Sequence, residues 1–162
     1  MRRVAVLGGN DPAAAAELAD AADALGRLLA AEGLTLLHDG SATGPHRALA
    51  AGFSEAGGLA VQAPSPEDAV RQADGLIALP GGQQRMEQLF ALALDGGPES
   101  RPVGLLNAGN FFTALLATEP DRVLERFAQE TQRGRLIVDR NPKELLQAMR
   151  DFRPPETRRH SP

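Results

Sequence analysis

The sequence predicts an α/β fold: a doubly wound, Rossmann-like parallel sheet with helices on both faces. Two observations predict it. Short apolar runs alternate with longer segments of helical periodicity, and several of the runs end in glycine-bearing loops. The 162 residues suit one domain with one core. We therefore assign residues 1–152 to a single domain and residues 153–162, which are rich in proline and charge, to a disordered tail.

Six apolar runs are predicted as strands, and helical segments separate them. The strands are Val4–Leu7, Leu34–Leu37, Leu59–Val61, Gly75–Leu79, Val103–Leu106 and Leu136–Val138. The first predicted helix starts at Asp11 and Pro12 and ends at Glu32, and the second covers residues 45–56. A short helix capped by Ser65 follows, and then a helix that is opened by Gly81 and Gly82 and ends near Leu94. The remaining helices cover residues 110–117, residues 121–131 and Asn141 to Phe152.

The composition excludes several classes of function. The chain has no cysteine, which excludes disulfides, thiolate metal sites and cysteine nucleophiles. The formal charge is −4 and only 4% of the residues are aromatic, so neither a phosphate-backbone binder nor a base-stacking surface is expected. No apolar run is long enough for a signal peptide or a membrane span. We expect a cytosolic protein with neither a nucleic-acid nor a membrane partner.

Three glycine-bearing loops follow predicted strands, where the ligands of such sheets bind. Glycine leaves backbone N–H groups unobstructed for a phosphate, although tight strand-to-helix turns also need it. The candidate contacts are Gly8, Gly9 and Asn10 in the first loop, Gly40, Ser41, Thr43 and Gly44 in the second, and Pro80, Gly81 and Gly82 in the third. Neither the dinucleotide motif G-x-G-x-x-G nor the Walker motif occurs, which disfavours NAD-type and P-loop proteins.

Several stretches, in order, resemble the LOG ("Lonely Guy") family. The stretch Asp74–Gly82 resembles the strand and turn that open the family motif P-G-G-x-G-T-x-x-E. Further stretches resemble the later strands and helices of the family, namely Arg101–Asn107 followed by Phe111 and Phe112, Leu136–Val138, and Asn141–Leu146. The likeness spans about residues 3–152. The resemblance implies the Rossmann-like fold and a nucleoside 5′-monophosphate as ligand.

The resemblance also implies a chemistry, namely hydrolysis of the N-glycosidic bond to release a base and ribose 5-phosphate. In active members the glycine and threonine of the motif hold the phosphate at a helix N-terminus. The glutamate of the motif acts together with an arginine from the preceding helix. A carboxylate can stabilise the cationic sugar centre or activate water, and an arginine can bind an anion through two hydrogen bonds.

The chain departs from the family at the chemical positions. Gln84 stands in place of the motif's glycine, Arg85 in place of its threonine and Gln88 in place of its glutamate. A gap-free alignment places Ser65 where the family's arginine is expected. Glu87 is one residue from the catalytic position, but one step turns a side chain by about 100° around a helix. The sequence thus predicts a degenerate catalytic site, with Glu87 as the possible substitute carboxylate.

Other candidates each have a simpler alternative. Arg85 is either a replacement phosphate ligand or a solvated residue of the first helical turn. His38, Asp39 and His46 have no recognised metal-ligand spacing, so no metal is expected there. The "lysine decarboxylase" label often given to such sequences requires a lysine that binds pyridoxal phosphate. Lys143, the sole lysine, has no phosphate-binding loop around it, and no cofactor is expected.

Four hypotheses follow for the function. The leading one is a LOG-like protein that binds a phosphate-bearing small molecule, a nucleotide above all, with weak or absent hydrolysis. The others are an active hydrolase that uses Glu87 and Arg85, a carrier or sensor of a larger phosphate-bearing cofactor similar to the molybdenum-cofactor carriers, and a scaffold with an empty pocket.

We predict a homodimer or a dimer-based tetramer. LOG-like proteins pack the motif helix across a twofold axis, and here that helix carries more apolar residues than one face needs, namely Met86, Leu89, Phe90, Leu92 and Ala93. Light scattering at micromolar concentration should give at least twice the mass of the chain. A monomeric mass would remove the support for a site shared between subunits.

Overall fold

The computed structural model describes residues 1–82, 85–96 and 101–154, and these residues have the predicted α/β fold. The strands are β1 (Arg3–Gly8), β2 (Thr35–His38), β3 (Leu59–Gln62), β4 (Gly75–Leu79), β5 (Val103–Leu106) and β6 (Leu136–Asp139). The helices are α1 (Ala16–Ala31), α2 (Gly44–Glu55), α3 (Pro66–Gln72), α4 (Met86–Ala93), α5 (Phe111–Leu116, after a 3₁₀ turn over Ala108–Asn110), α6 (Asp121–Gln132) and α7 (Pro142–Asp151).

The strands of the described residues form one parallel sheet in the order β3-β2-β1-β4-β5-β6. Strand β1 lies in the middle and pairs with β2 on one side and β4 on the other. The chain runs outward from β1 to β3 and then returns past β1 to β4. The strand order therefore reverses between β1 and β4, which confirms the doubly wound, Rossmann-like fold.

The helices cover both faces of the sheet because alternate strand residues point to opposite sides. Val4 and Val6 of β1 pack with residues of α1, α2 and α7. Ala5 and Leu7 of the same strand pack with residues of α3, α4, α5 and α6. Strand β4 is buried at all of its positions, as expected for a central parallel strand that is covered on both faces.

Two glycines let α1 and α2 pack backbone against backbone. A Cβ atom on Gly26 of α1 would overlap the carbonyl oxygen of Leu49, and one on Gly52 of α2 would lie 2.7 Å from the carbonyl oxygen of Asp23. This close approach fixes the position of α2, whose first residues belong to the second glycine loop.

The start of α1 differs from the sequence prediction. The helix begins at Ala16 rather than at Asp11 and Pro12. The carboxylate of Asp11 accepts a hydrogen bond from the N–H of Ala13 at 2.9 Å, so it caps a turn instead of the helix. The backbone of Asp11 lies directly beneath Gly44, since a Cβ atom there would be 2.5 Å from the Asp11 carbonyl oxygen. The contact between the loops delays the helix by one turn.

The motif helix also begins later than predicted. Gly81 and Gly82 have φ angles of 91° and 135°, which no α-helix contains, and α4 begins at Met86. The two glycines therefore belong to the loop after β4 and do not form the first helical turn.

The packing of α4 weakens the sequence argument for a dimer. Met86, Leu89, Phe90 and Ala93 are at most 2% exposed within the single chain, and Leu92 packs partly buried against the same core cluster. The premise that α4 carries surplus apolar surface is wrong, because α4 turns these residues into the core on its side of the sheet. The prediction of a dimer now rests on the resemblance alone.

None of the helices in the described ranges combines the length and the apolar character that a membrane crossing needs. Residues 155–162 of the predicted tail lie outside the described residues.

Candidate functional site

The candidate site lies where the strand order reverses, at the carboxyl ends of β1 and β4. The first and third glycine loops leave these two neighbouring strands, and ligands of doubly wound sheets bind at this point. Gly8, Gly9, Gly81 and Gly82 all have positive φ angles, which non-glycine residues rarely adopt. The two loops approach each other closely, because a Cβ atom on Gly82 would be 3.0 Å from Oδ1 of Asn10.

The second glycine loop joins the first through the start of α2. The Thr43 hydroxyl donates a hydrogen bond to the carbonyl oxygen of Asn10 at 2.7 Å, and the N–H of His46 donates one to the carbonyl oxygen of Gly9 at 2.6 Å. Gly44, with φ of 64°, leaves no room for a Cβ atom, which would meet backbone atoms of Gly9 and Asp11. The structure thus brings all three predicted loops together at one edge of the sheet.

His46 of α2 lies buried beneath the β1 loop and contacts its backbone. Its side chain is 1% exposed, and Nδ1 lies 3.1 Å from the carbonyl oxygen of Gly8. A carbonyl oxygen only accepts, so Nδ1 carries the donated proton. Within the described part of the chain, Nε2 has no hydrogen-bond partner, and it faces Oδ1 of Asp39 at 3.6 Å. The sequence predicted His46 as a loop residue without a metal and did not predict its place beneath the β1 loop, which is a tertiary contact between residues 38 positions apart.

Asp39 and Ser41 form the outer part of the second loop. The backbone N–H and the hydroxyl of Ser41 donate to Oδ1 of Asp39 at 2.9 and 2.6 Å. Burial acts to raise the pKa of Asp39, but the hydrogen bonds from Ser41 and the charge of His46 together hold the pKa below its usual value. Ser41 is therefore engaged by its own loop and acts here as a turn residue.

His38 completes this polar group. Its Nδ1 accepts a hydrogen bond from the N–H of Gly40, and its ring lies 6.4 Å from that of His46. Burial, followed by the charge of His46, lowers the pKa of His38. Among the described residues, no three His, Asp or Glu side chains gather as a metal site would require.

The start of α4 holds positions that the sequence analysis aligned with the LOG motif. Gln88 is exposed, and so is Arg85, which precedes the helix and makes no side-chain cap. The carboxylate of Glu87 pairs with the guanidinium of Arg122 from α6 at 3.2 and 3.4 Å. Gln84 lies outside the described residues.

A carboxylate already occupies the N-terminus of α4. The N–H of Met86 donates a hydrogen bond to Oε1 of Glu119, which lies just before α6, at 3.2 Å. A negative side chain at this end of a helix interacts favourably with the helix dipole. No local pattern links positions that are 33 residues apart, so the sequence could not reveal this contact.

Ser65 is a helix cap, as the sequence predicts. Its hydroxyl oxygen accepts a hydrogen bond from the N–H of Asp68 at 3.1 Å and donates one to the carboxylate of the same residue at 3.0 Å. The side chain therefore serves the start of α3. Lys143 lies exposed at the start of α7, where its backbone N–H is capped by Asn141.

A family model described as "Possible lysine decarboxylase", which represents the LOG family, matches residues 67–149. The chain belongs to this family. The matched LOG region begins in α3 and ends in α7, so it includes the β4 loop and the motif helix but not the first two glycine loops.

Curated relatives carry the name of a nucleotide hydrolase. The rice protein "Probable cytokinin riboside 5'-monophosphate phosphoribohydrolase LOGL6" is 26% identical over 94% of this chain and 72% of its own length. The Arabidopsis thaliana protein "Cytokinin riboside 5'-monophosphate phosphoribohydrolase LOG2" is 37% identical over 52% of this chain, but the match spans only 40% of the relative.

Solved structures of other proteins share the fold. The molybdenum cofactor carrier protein of Chlamydomonas reinhardtii superposes with a TM-score of 0.68 at 20% identity, covering 92% of this chain and 96% of its own. The molybdenum cofactor binding protein of Rippkaea orientalis gives 0.67 at 20% identity, covering 92% and 95%. These similarities confirm the Rossmann-like fold of this LOG-family chain.

The contact between α2 and the β1 loop gives a stability test. Gly44 and Gly33 have similar φ angles of 64° and 71°, but only Gly44 has backbone atoms where a Cβ would be placed. Gly33→Ala should cost about 1–2 kcal/mol from left-handed strain alone. Gly44→Ala should cost about 1–3 kcal/mol more from the overlap, measured as the free energy of unfolding in urea. Equal losses would mean that the second loop does not rest on the first.

Proposed function

We propose that the protein binds a phosphate-bearing small molecule, a nucleotide in the first place, at the three glycine loops, and that it hydrolyses nucleotides weakly or not at all. The observation that carries the proposal is the convergence of these loops at the carboxyl ends of β1 and β4. The names of the LOG relatives support a nucleoside monophosphate as the ligand class.

The backbone supplies the binding groups in this proposal. Gly8, Gly9, Gly81 and Gly82 carry no Cβ that would keep an anion away from their N–H groups. Asn10 is exposed at the top of the first loop and can donate through its amide. Gly40 and Thr43 are exposed at the rim, Pro80 is buried beneath the third loop, and Ser41 is held by Asp39.

The proposal of weak catalysis follows from the replaced side chains. Cleavage of a glycosidic bond develops positive charge on the sugar, which a carboxylate stabilises. Gln88 offers no negative charge, and Ser65 is too short to replace an arginine and caps α3. Glu87, the possible substitute, is exposed and neutralised by its pairing with Arg122. An active hydrolase that used Glu87 and Arg85 would have to break this ion pair.

A carrier is the second candidate. The structural similarity to the two molybdenum-cofactor proteins spans nearly the whole of each chain, and their names describe a carrier and a binding protein. Glycine loops that bind phosphate through the backbone suit a larger phosphate-bearing ligand equally well. A scaffold with an empty pocket remains the outcome if neither ligand class binds.

Two variants at the start of α4 should change anion affinity in opposite directions. Arg85→Ala removes a charged donor and should weaken AMP binding about ten- to a hundredfold. Glu119→Gln removes the carboxylate that occupies the N-terminus of α4 and should strengthen binding about fivefold, because charges about 4 Å apart repel by about 1 kcal/mol in water. Isothermal titration calorimetry measures both, with exposed Arg140→Ala as the charge-matched control. Unchanged affinity in Arg85→Ala would assign this side chain to solvent.

The catalytic prediction concerns release of adenine from AMP. Loss of one key electrostatic group costs about 10²–10³ in rate, so replacement of both should leave negligible turnover. Free base is measured by chromatography, alongside a thermal shift that reports binding. Turnover near about 1 s⁻¹, an ordinary enzymatic rate, would contradict the proposal and point to Glu87.

A gain of function tests the same point in reverse. The change Gln88→Glu with Ser65→Arg, Gln84→Gly and Arg85→Thr restores the motif, and some hydrolysis should then be measurable. The substitution at Ser65 also removes the cap of α3, which should cost about 1 kcal/mol of stability. Ser65→Ala is the matched control, because it removes the cap without adding an arginine. A stable restored variant without hydrolysis would mean either that the short loop before Ser65 has moved α3 or that the gap-free alignment of Ser65 with the family's arginine is wrong.

A further inference from the structure

A cavity lies at the opposite end of the sheet from the glycine loops. It has a volume of about 500 Å³ and is bounded by the first residues of the chain, by the segments that lead into β4 and β5, and by the end of α7. A volume of this size suits a small-molecule ligand. The cavity is separate from the candidate site, because parallel strands place their amino and carboxyl ends at opposite edges.

The cavity is strongly basic although the protein is acidic. The chain has 17 basic and 21 acidic residues, yet the cavity lining contains four arginines and one carboxylate. The arginines are Arg2, Arg101, Arg150 and Arg153, and the carboxylate is Asp74. Two N–H groups already bind that carboxylate, those of Arg2 and Arg3 at 2.9 Å each. Asp74 keeps its negative charge, but the arginines outnumber it, so the lining has a positive net charge.

Arg101 is the buried arginine of the cavity, and its hydrogen bonding indicates what the cavity can bind. Its side chain is 2% exposed, and one terminal nitrogen donates to the carbonyl oxygen of Val70. Its Nε and its other terminal nitrogen have no hydrogen-bond partner among the residues that the structure describes. Arg135, 6% exposed, lies close enough that its charge adds to burial in lowering the pKa of Arg101. Within the described ranges, neither arginine pairs with a carboxylate.

Two buried guanidinium groups without a counter-charge are costly for a fold. An arginine stays charged even when buried, and a buried charge without a partner destabilises a protein by several kcal/mol. Such an arrangement suits an anion that enters from outside. The planar guanidinium matches the oxygens of phosphate through paired hydrogen bonds.

We propose that this arginine cavity binds a small organic phosphate, whose phosphate group contacts Arg101 from within and Arg2 and Arg153 at the rim. Arg2 and Arg153 are exposed and take part in none of the ion pairs of the described residues, while Arg150 already pairs with Glu32 at 2.6 Å. Met149 and Phe152 form an apolar wall for the organic part of the ligand. The ligand would thus meet charge on one side and hydrocarbon on the other.

Inorganic pyrophosphate is the probe for this site, and amide chemical shifts of the full chain locate it. The amides of Ala73, Asp74 and Phe152 should shift saturably at submillimolar pyrophosphate. The double variant Arg2→Ser with Arg153→Ser should lower the affinity at least about tenfold, since each charged hydrogen bond contributes that much or more. The control Arg27→Ser with Arg140→Ser removes two exposed arginine charges away from the cavity and should leave the affinity within about twofold.

Arg101→Met separates an anion site from a structural role. Methionine keeps much of the volume and removes the unpaired charge, so the unliganded variant should have a Tm at least equal to that of the parent and should lose pyrophosphate binding at this cavity. A lower Tm with unchanged binding would make Arg101 a structural residue and overturn the proposal. If Arg101→Met does not fold, the rim variants decide, and unchanged affinity in Arg2→Ser with Arg153→Ser overturns the proposal equally.

Discussion

The organisation of the candidate site depends on one contact, the packing of the α2 N-terminus against the loop after β1. Gly44 rests against the backbone of Gly9 and Asp11 with no space for a side chain, and the N–H of His46 donates to the carbonyl oxygen of Gly9. The contact delays α1 until Ala16 and leaves Asp11 in a turn. Because β4 adjoins β1, the loop after β4 then meets the same surface. Three loops that are far apart in the chain become one edge of the sheet.

The two ends of the sheet offer anions different kinds of partner. At the carboxyl ends, glycines with positive φ offer backbone N–H groups and carry no charge of their own. At the amino ends, arginines line a cavity in a protein that is acidic overall. Backbone donors bind a phosphate by shape and direction, whereas guanidinium groups add charge at a cost in folding stability. The amino-end site depends on Arg101, whose burial is a cost that the carboxyl-end site avoids.

Side chains at and around the positions that the sequence analysis aligned with the LOG chemistry make structural contacts in this chain. Glu87 pairs with Arg122, Glu119 binds the first N–H of α4, and Ser65 caps α3. Each of these contacts stabilises a helix end or joins two helices. The proposed binding role needs only this scaffold and the glycine loops, and it does not depend on hydrolysis.

The sequence alone determined the fold class, the order of strands and helices and the three glycine loops, because these depend on local periodicity and on residues that tolerate special backbone angles. Strand β4 and the cap at Ser65 are examples in which local pattern and structure agree. The sequence misplaced the starts of α1 and α4 and assigned surplus apolar surface to α4, because helix starts and burial there depend on neighbours distant in the chain. Only the tertiary structure decided that His46 lies beneath the β1 loop, that Glu119 occupies the α4 N-terminus and that the buried Arg101 donates to the carbonyl oxygen of Val70. Each of these joins residues more than thirty positions apart, and no period or motif encodes such a distance.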